Sequence, residues 1–241
     1  YINEVVKPTY LDLAEKSDIL YKACQNLYQK RKAGTLTQSD IDAACEAFKG
    51  ARRDWEQSES FLYGAASDNE IDPHIDSWPL DHDQLTRALN DASVIAGING
   101  ENPTKYVYDN NGNFDSVLGF HGLEFVLFRN GKNRTVADFN AEKETEQGLT
   151  SVSTVNEAAF AAAVAGDLRN MTYLLEYGWL GTSIPTSHLN QLANAMWVVN
   201  GTRHRGLSAK NIPYRDYSQF ATTENGMFAS WHETLNNIFI G

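Results

Sequence analysis

The N-terminal part of the chain carries two stripes of apolar or small side chains that recur in alternating steps of three and four residues. This period is typical of amphipathic helices that bury one face. The first stripe predicts a helix that starts near Lys7 and stops at Gly34, and the second predicts a helix from a cap at Thr37 or Ser39 to Gly64. Together they predict an antiparallel helical hairpin. The stripes are Val6, Tyr10, Leu13, Ser17, Leu20, Cys24 and Leu27, then Ile41, Ala44, Phe48, Ala51, Trp55, Ser58 and Leu62.

Similar apolar repeats predict further helices along the chain. They are residues 83–97, the stretch after Gly148 with a cap at Ser153 or Thr154, the stretch that Pro185 opens, and residues 220–240. For residues 65–83 the sequence predicts an irregular connection. Its apolar side chains are expected to pack it against the protein, and they are Ile71, Ile75, Trp78 and Leu80. Residues 99–113 predict turns, with two short strands around Tyr106 to Tyr108 as an alternative. Residues 135–147 predict a charged surface helix or loop.

A strongly apolar stretch of the chain runs from Val117 to Phe128. If it is helical, all its sides are apolar, and such a helix is normally buried. Its only strongly polar side chains are His121 and Glu124, and their spacing of three residues places them on one helix face. A carboxylate is rarely buried without a partner, because its desolvation is costly. The sequence therefore predicts that a cation, a metal ion, a group of donors or a water-filled cleft meets Glu124.

Two interpretations of this pair follow from the residues alone. Imidazole nitrogen and carboxylate oxygen both bind metals, and helical di-iron proteins use the same side chains at the same spacing. Two ligands are too few for a metal site, so we expect further ligands, with Glu59 and Asp76 as candidates. In the alternative interpretation, a neutral His121 is hydrogen-bonded to a backbone carbonyl and Glu124 pairs with an arginine. Glu59 also has a surface alternative, because it borders the helical seam beside Ser58.

Composition and charge exclude several classes of protein. The chain has 241 residues, of which 42% are hydrophobic and 21% charged, as in ordinary globular proteins. A net charge of −11 without a basic stripe argues against nucleic acid as a partner. No apolar run in the sequence is long enough to span a membrane. Phosphate-loop, dinucleotide-binding and serine-hydrolase motifs are also missing from the sequence.

The two cysteines, Cys24 and Cys45, lie at nearly equal distances before and after Gly34. An antiparallel hairpin would bring them level, and facing helix positions meet the Cα separation of about 7 Å that a disulfide requires. The sequence therefore predicts a disulfide, which favours a compartment outside the cytosol. The alternative is a pair of free buried thiols that act as small apolar side chains.

Three segments of the chain, in one order, are typical of a known family. Residues 119–124 read Gly-Phe-His-Gly-Leu-Glu, and the upstream segments are Trp55–Gly64 and Ile71–Asp81. The first segment resembles the Gly-x-His-x-x-Glu signature of the imelysin-like proteins, the M75 peptidase family, and the other two resemble the same family. The resemblance covers most of residues 1–130.

The resemblance implies an all-α fold of antiparallel helical bundles. Two bundle-like halves are expected, residues 1–131 and residues 150–241, with His121 and Glu124 in a cleft between them. Family members run longer, so we also expect a C-terminal portion to be absent from this chain. The resemblance further implies a location in the bacterial periplasm or cell envelope, as an outer-membrane lipoprotein, and an association with iron uptake. Membrane contact is then expected only through a lipid anchor outside this chain.

Residue roles and functions follow from the same resemblance. His121 and Glu124 carry over directly as metal ligands, and Glu59, Asp76 and Trp78 carry over as members of matching segments, with Trp78 as a ligand-binding residue. The leading hypothesis is an envelope protein that binds iron, zinc or copper, or a metal-containing ligand, together with other envelope iron-uptake components. The second is a metal-dependent peptidase with Glu124 or Glu59 as the catalytic group. The third is a non-catalytic helical interaction module.

Overall fold

The computed structural model describes residues 1–62, 64–146 and 148–196, and these residues are mostly helical. The helices are α1 (Lys7–Ala33), α2 (Gln38–Gln57), α3 (Ala65–Asp68), α4 (Ile71–Ile75), α5 (His82–Asn90), α6 (Ala92–Ile98), α7 (Pro103–Asp109), α8 (Gly119–Leu127), α9 (Val136–Asn140), α10 (Thr154–Leu180) and α11 (Thr186–Met196). A two-stranded antiparallel hairpin of β1 (Phe128–Arg129) and β2 (Lys132–Asn133) follows α8 directly. The prediction of an all-α fold is confirmed.

Helices α1 and α2 confirm the two predicted N-terminal helices. Most of the stripe positions are buried, and Gly34, at a φ of 70°, ends α1. Helix α2 ends at Gln57, earlier than predicted, and a 3₁₀ turn over Glu59–Phe61 follows. Asp40 ties the two helices together, because its carboxylate accepts hydrogen bonds from Lys30 and from Thr37. These hydrogen bonds hold the pKa of Asp40 well below its usual range.

The predicted disulfide is wrong for this structure, because Cys24 and Cys45 are both free, buried thiols. The sulfur of Cys45 lies 3.5 Å from the backbone oxygen of Leu127 in α8. Burial raises the pKa of each thiol to about 12. The two cysteines therefore act as small apolar side chains, as the alternative interpretation had it.

The irregular connection predicted for residues 65–83 contains the short helices α3 and α4. Ile71 and Ile75 are buried, as predicted, and so anchor α4. The prediction for Trp78 is wrong, because 73% of this residue is exposed and it does not anchor the connection to the protein. The peptide bond between Trp78 and Pro79 is cis.

Local capping side chains explain two further differences in the middle of the chain. The helix predicted over residues 83–97 is broken at Asp91, whose carboxylate accepts hydrogen bonds from Ser93 N and Val94 N and so caps a new helix, α6. Residues 103–109 form helix α7 rather than the alternative strands, because Asn102 caps it and Pro103 occupies its first turn. Capping by Asp91 therefore divided one predicted helix in two, and capping by Asn102 produced a helix where turns or strands were predicted.

The C-terminal half of the described chain is organised by α10. This helix begins at Thr154, as predicted, and is buried over nearly its whole length, with many small alanine side chains. Helix α11 starts just after Pro185, as predicted. The predicted charged segment 135–147 contains α9, which the side chains of Thr135 and Asp138 cap reciprocally. The helix predicted over residues 220–240 lies outside the described residues.

The chain forms two compact units. Among the described residues, unit 1 comprises 1–15, 51–73 and 170–196, and unit 2 comprises 16–50 and 74–169. In unit 1, the hydroxyl of Tyr10 donates to the backbone oxygen of Phe61, and its ring stacks on Trp179. The predicted halves, residues 1–131 and 150–241, remain a prediction. Of the helices in the described part of the chain, none combines the length and the hydropathy that a membrane span requires.

Candidate functional site

The signature helix α8 is packed so closely that two of its residues have to be glycine. Gly119 has a φ of +67°, a conformation that side chains with a Cβ rarely adopt, and a Cβ there would overlap the backbone of Ile75. A Cβ on Gly122 would overlap the backbone oxygen of Val117. The start of α8 therefore lies directly against the end of α4. This contact brings the residue after α4, Asp76, next to α8.

His121 lies between two carboxylates in unit 2. Its Nε2 atom is 3.1 Å from Oδ1 of Asp76, and its Nδ1 atom is 3.5 Å from Oε2 of Glu124. The side chains of His121 and Asp76 are 15% and 12% exposed, whereas Glu124 is 58% exposed. The imidazole is thus held in place on one side and faces a solvent-accessible carboxylate on the other.

The tautomer of His121 follows from these contacts. A carboxylate only accepts hydrogen bonds, and Asp76 is the nearer of the two carboxylates, so a proton on Nε2 suits this arrangement best. The other nitrogen, Nδ1, is buried and has no hydrogen-bond partner, because its contact with Glu124 lacks hydrogen-bonding geometry. A buried polar atom without a hydrogen bond is costly, and a metal ion or ligand atom beside Nδ1 would remove that cost.

An open pocket of about 550 Å³ lies beside this pair, within unit 2. Its lining residues are Phe48, Lys49, Trp78, Pro79, Leu80, His82, His121, Glu124, Phe125, Phe128, Arg129, Asn130 and Gly131. The Trp78 ring packs at 4.7 Å from the His121 ring, and the His82 ring at 5.0 Å from the Phe125 ring, measured between centroids. The pocket therefore joins aromatic surface to the exposed carboxylate of Glu124.

The structure brings together four of the five predicted site residues. Asp76, Trp78, His121 and Glu124 are neighbours in unit 2. Glu59 belongs to unit 1, so its role at the site stays a prediction. The alternative interpretation of the pair does not describe this geometry, because His121 contacts a carboxylate rather than a carbonyl. No arginine pairs with Glu124 among the residues that the structure describes.

The predicted ligands do not converge on one point. Asp76 and Glu124 contact opposite nitrogens of the same ring, and the two nitrogens of an imidazole point in different directions. In keeping with this, no three His, Cys, Asp or Glu side chains in the described ranges are arranged to hold a metal ion together. The described residues therefore offer two donors on one side of the ring, Nδ1 of His121 and the Glu124 carboxylate.

A buried charge cluster behind the pocket was missed from the sequence. Arg134 is fully buried and pairs with Glu144 at 3.0 Å and Glu157 at 3.2 Å. Arg129, which lines the pocket, pairs with Glu144 at 2.6 Å. Arg134 also donates to the backbone oxygen of Val126 in α8. The cluster thus fixes the end of α8 and the β1–β2 hairpin, which carry several pocket residues.

The two buried carboxylates of this cluster have opposite pKa shifts. Burial raises the pKa of Glu157 to about 8, although Arg134 opposes the shift. Burial alone would also raise the pKa of Glu144, but its hydrogen bond with Glu157 and the two arginines hold it below the ordinary value. A hydrogen bond between two carboxyl groups requires a proton. Glu157 therefore holds that proton at neutral pH.

We expect a pH-dependent stability from Glu157. Its pKa in the folded state is raised above the unfolded value of about 4, so between the two values the folded state binds the extra proton. Its contribution to the free energy of unfolding is therefore full in acid and is lost as the pH rises towards about 8, by at most about 1.4 kcal/mol per pH unit. Urea unfolding of wild type and of Glu157→Gln, which does not ionise, checks this. The variant should show the shallower decline between about pH 5.5 and about pH 8.5, and parallel declines would contradict the assignment.

The fold and the site together define an all-α protein built around a Gly-x-His-x-x-Glu helix whose histidine lies between two carboxylates. A family model described as Imelysin, peptidase M75, matches residues 6–223. The chain therefore belongs to the imelysin family, and the resemblance seen in the sequence is confirmed.

Two relatives share part of this chain. It is 30% identical over 128 residues to a protein named iron-regulated protein A from Synechococcus elongatus, a match that spans 53% of this chain and 30% of that protein. A crystal structure assigned to an iron-regulated protein A precursor from Parabacteroides distasonis matches with a TM-score of 0.57 and 28% identity. That match covers 75% of this chain and 43% of the other. The chain thus spans less than half the length of either relative.

Proposed function

We propose that this chain binds a metal ion, or a small ligand that contains one, at His121 and Glu124, in an iron-related role. The observation that carries the proposal is the buried Nδ1 atom of His121, which has no hydrogen bond and lies 3.5 Å from an exposed carboxylate. The names of the two relatives, both iron-regulated proteins, support the link with iron. The metal is here the cargo of the protein rather than a resident cofactor.

The distance between the two donors suits a shared metal ion. Two ligand atoms that each lie about 2.1 Å from a tetrahedral ion are about 3.4 Å apart. The observed separation of 3.5 Å between Nδ1 of His121 and Oε2 of Glu124 is close to this value. Because Glu124 is 58% exposed, its carboxylate has room to move aside and then close over an entering ion.

Asp76 has a different role in this proposal from the one predicted. It contacts Nε2, the nitrogen that points away from Glu124, so it orients the ring and does not bind the same ion. A carboxylate that accepts from the outer nitrogen of a metal-binding histidine fixes the tautomer and makes the other nitrogen a better donor. Asp76 is therefore a positioning residue.

Calorimetric titration with iron, zinc and copper salts tests the proposal. We expect wild type to bind at least one of these ions with micromolar affinity or better. His121→Ala and Glu124→Gln should each weaken binding by more than about tenfold, and Asp76→Asn by about tenfold, the usual effect of losing such an outer partner. Binding should also weaken in acid, because a protonated imidazole has no lone pair to donate.

Glu101→Gln is the matched control, since Glu101 is an exposed carboxylate of unit 2 that does not line the pocket. It should bind as wild type does. Absence of binding by wild type would overturn the proposal and leave the helical interaction module as the explanation. Equal loss in Glu101→Gln and Glu124→Gln would place the metal on the general acidic surface instead.

A metal-dependent peptidase has less support from the geometry. Catalytic zinc sites normally have three protein ligands and a water, whereas the described residues supply two donors on one side of His121. Hydrolysis of a peptide library that disappears in Glu124→Gln would nevertheless establish that activity. A location at the bacterial cell envelope, with a lipid anchor and iron-uptake partners, belongs to the same proposal and rests on the family resemblance.

A further inference from the structure

The pocket beside His121 is far larger than a metal ion. Its volume of about 550 Å³ is typical of sites for organic ligands, which range from about 300 to 1,000 Å³. Aromatic side chains form much of its wall, and Trp78 is 73% exposed there. A large exposed aromatic side chain in a concave site commonly marks a binding surface. These features point to a ligand with ring surface of its own.

The polar groups at the edges of the pocket differ in charge and in how far other side chains already balance that charge. Glu124 and His121 supply the two metal donors. Arg129 is engaged by the buried carboxylate of Glu144, so its charge is already balanced. Lys49 is 53% exposed, pairs only with the exposed Glu46 among the ion pairs of the described residues, and holds its ammonium group 5.7 Å from the centre of the Phe128 ring. The pocket thus offers an accessible positive charge above an aromatic wall.

The number of donors indicates what such a ligand supplies. A metal ion takes four donors when tetrahedral and six when octahedral, and the described residues offer two on one side of His121. An oxygen chelator would supply the remaining donors and would bring negative charge, which Lys49 complements. An aromatic chelator would in addition cover the rings of Trp78 and Phe128.

We propose that the pocket binds an anionic aromatic oxygen chelate of iron, with His121 and Glu124 completing the coordination of the metal and Trp78, Phe128 and Lys49 holding the chelator. This inference rests on the proposed metal-binding function, and it names the ligand class for the same site. The chelator's rings pack on Trp78 and Phe128, and its charged oxygens lie towards Lys49.

Calorimetry with two ferric chelates tests the inference, the aromatic 2,3-dihydroxybenzoate complex and the non-aromatic nitrilotriacetate complex. Wild type should bind the aromatic complex about tenfold more tightly, which is the usual size of a stacking contribution. Trp78→Ala should abolish this preference. Phe128→Leu, which keeps an apolar side chain without the ring, should reduce it. Glu124→Gln should weaken the binding of both complexes to a similar extent.

Ile19→Ala is the control for loss of an exposed apolar side chain, because Ile19 is 57% exposed in unit 2 and does not line the pocket. It should keep the preference, and thermal unfolding of each variant checks that the fold is intact. If wild type bound the two complexes equally well and Glu124→Gln weakened both, the proposal of an aromatic chelator would be overturned. The proposal of metal binding at His121 and Glu124 would then stand. Binding of neither complex, nor of the metal salts, would overturn both proposals. If metal-free dihydroxybenzoate bound as tightly as its ferric complex, the proposal that the ligand is a metal chelate would be overturned.

Discussion

Gly119→Ala should reduce the free energy of unfolding by more than about 3 kcal/mol, a large share of the stability of a typical domain. Two effects combine at this position. The left-handed φ of +67° costs an alanine about 1 kcal/mol, and its Cβ would overlap the backbone of Ile75, which has no side-chain flexibility to absorb it. Relief requires α4 to move away from α8, and Asp76 would then leave His121. Urea unfolding measures the first effect and metal calorimetry the second.

Gly34→Ala separates the two effects. Gly34 has nearly the same φ, +70°, but no atom lies within 4 Å of the position that a Cβ would take. This variant should lose only the backbone contribution of about 1 kcal/mol and should bind metal as wild type does. Equal destabilisation by the two substitutions would show that the contact with Ile75 does not restrict α8.

Arg134→Met should destabilise the protein by about 3 to 5 kcal/mol near pH 8, because it removes the nearest cation of the buried Glu157 and one of the two cations that pair with Glu144. Methionine replaces the apolar part of the arginine side chain, so the loss of the charge is the main change. Adding Glu157→Gln should restore part of the stability, since it removes the buried carboxyl group that has lost its nearest cation, while Glu144 keeps its contact with Arg129. Urea unfolding of the single and double variants measures both effects.

Lys22→Met is the control for this substitution. Lys22 pairs with Asp18 on the surface of α1 and is 71% exposed, so its replacement should change the free energy of unfolding by no more than about 0.5 kcal/mol. Arg134→Met could instead change the free energy of unfolding as little as Lys22→Met does, or the double variant could be no more stable than Arg134→Met alone. Either result would contradict the role of the cluster in stabilising the hairpin.

The site helix could be predicted from the sequence because its signal is local. A run with apolar residues on every side and one His-x-x-Glu pair fixes both the burial of α8 and the shared face of His121 and Glu124. The position of Asp76 could be predicted only by resemblance, since its contact depends on the way α4 packs against Gly119. Whether Asp76 contacts the same nitrogen as Glu124 or the opposite one is a tertiary property that no spacing along the chain expresses.

The pocket wall and the charge cluster were missed for related reasons. Phe125 and Phe128 lie in a run whose apolar character predicted complete burial, and only the packing around it leaves them partly exposed. Glu144 belongs to the segment 135–147, which was predicted to lie on the surface, Arg134 directly precedes that segment, and Glu157 comes from α10. The one signal in the sequence was a lone arginine directly before a helix cap at Thr135, which is too common to predict a buried cluster.

The cysteines of the hairpin have a practical consequence. Because burial raises the pKa of Cys24 and Cys45 to about 12, almost no thiolate exists at neutral pH while the protein is folded. Alkylating reagents attack the thiolate, so the native protein resists them and only an opened chain reacts. The rate at which an alkylating reagent labels these two residues therefore reports how often the hairpin opens, and no cysteine has to be introduced for the measurement.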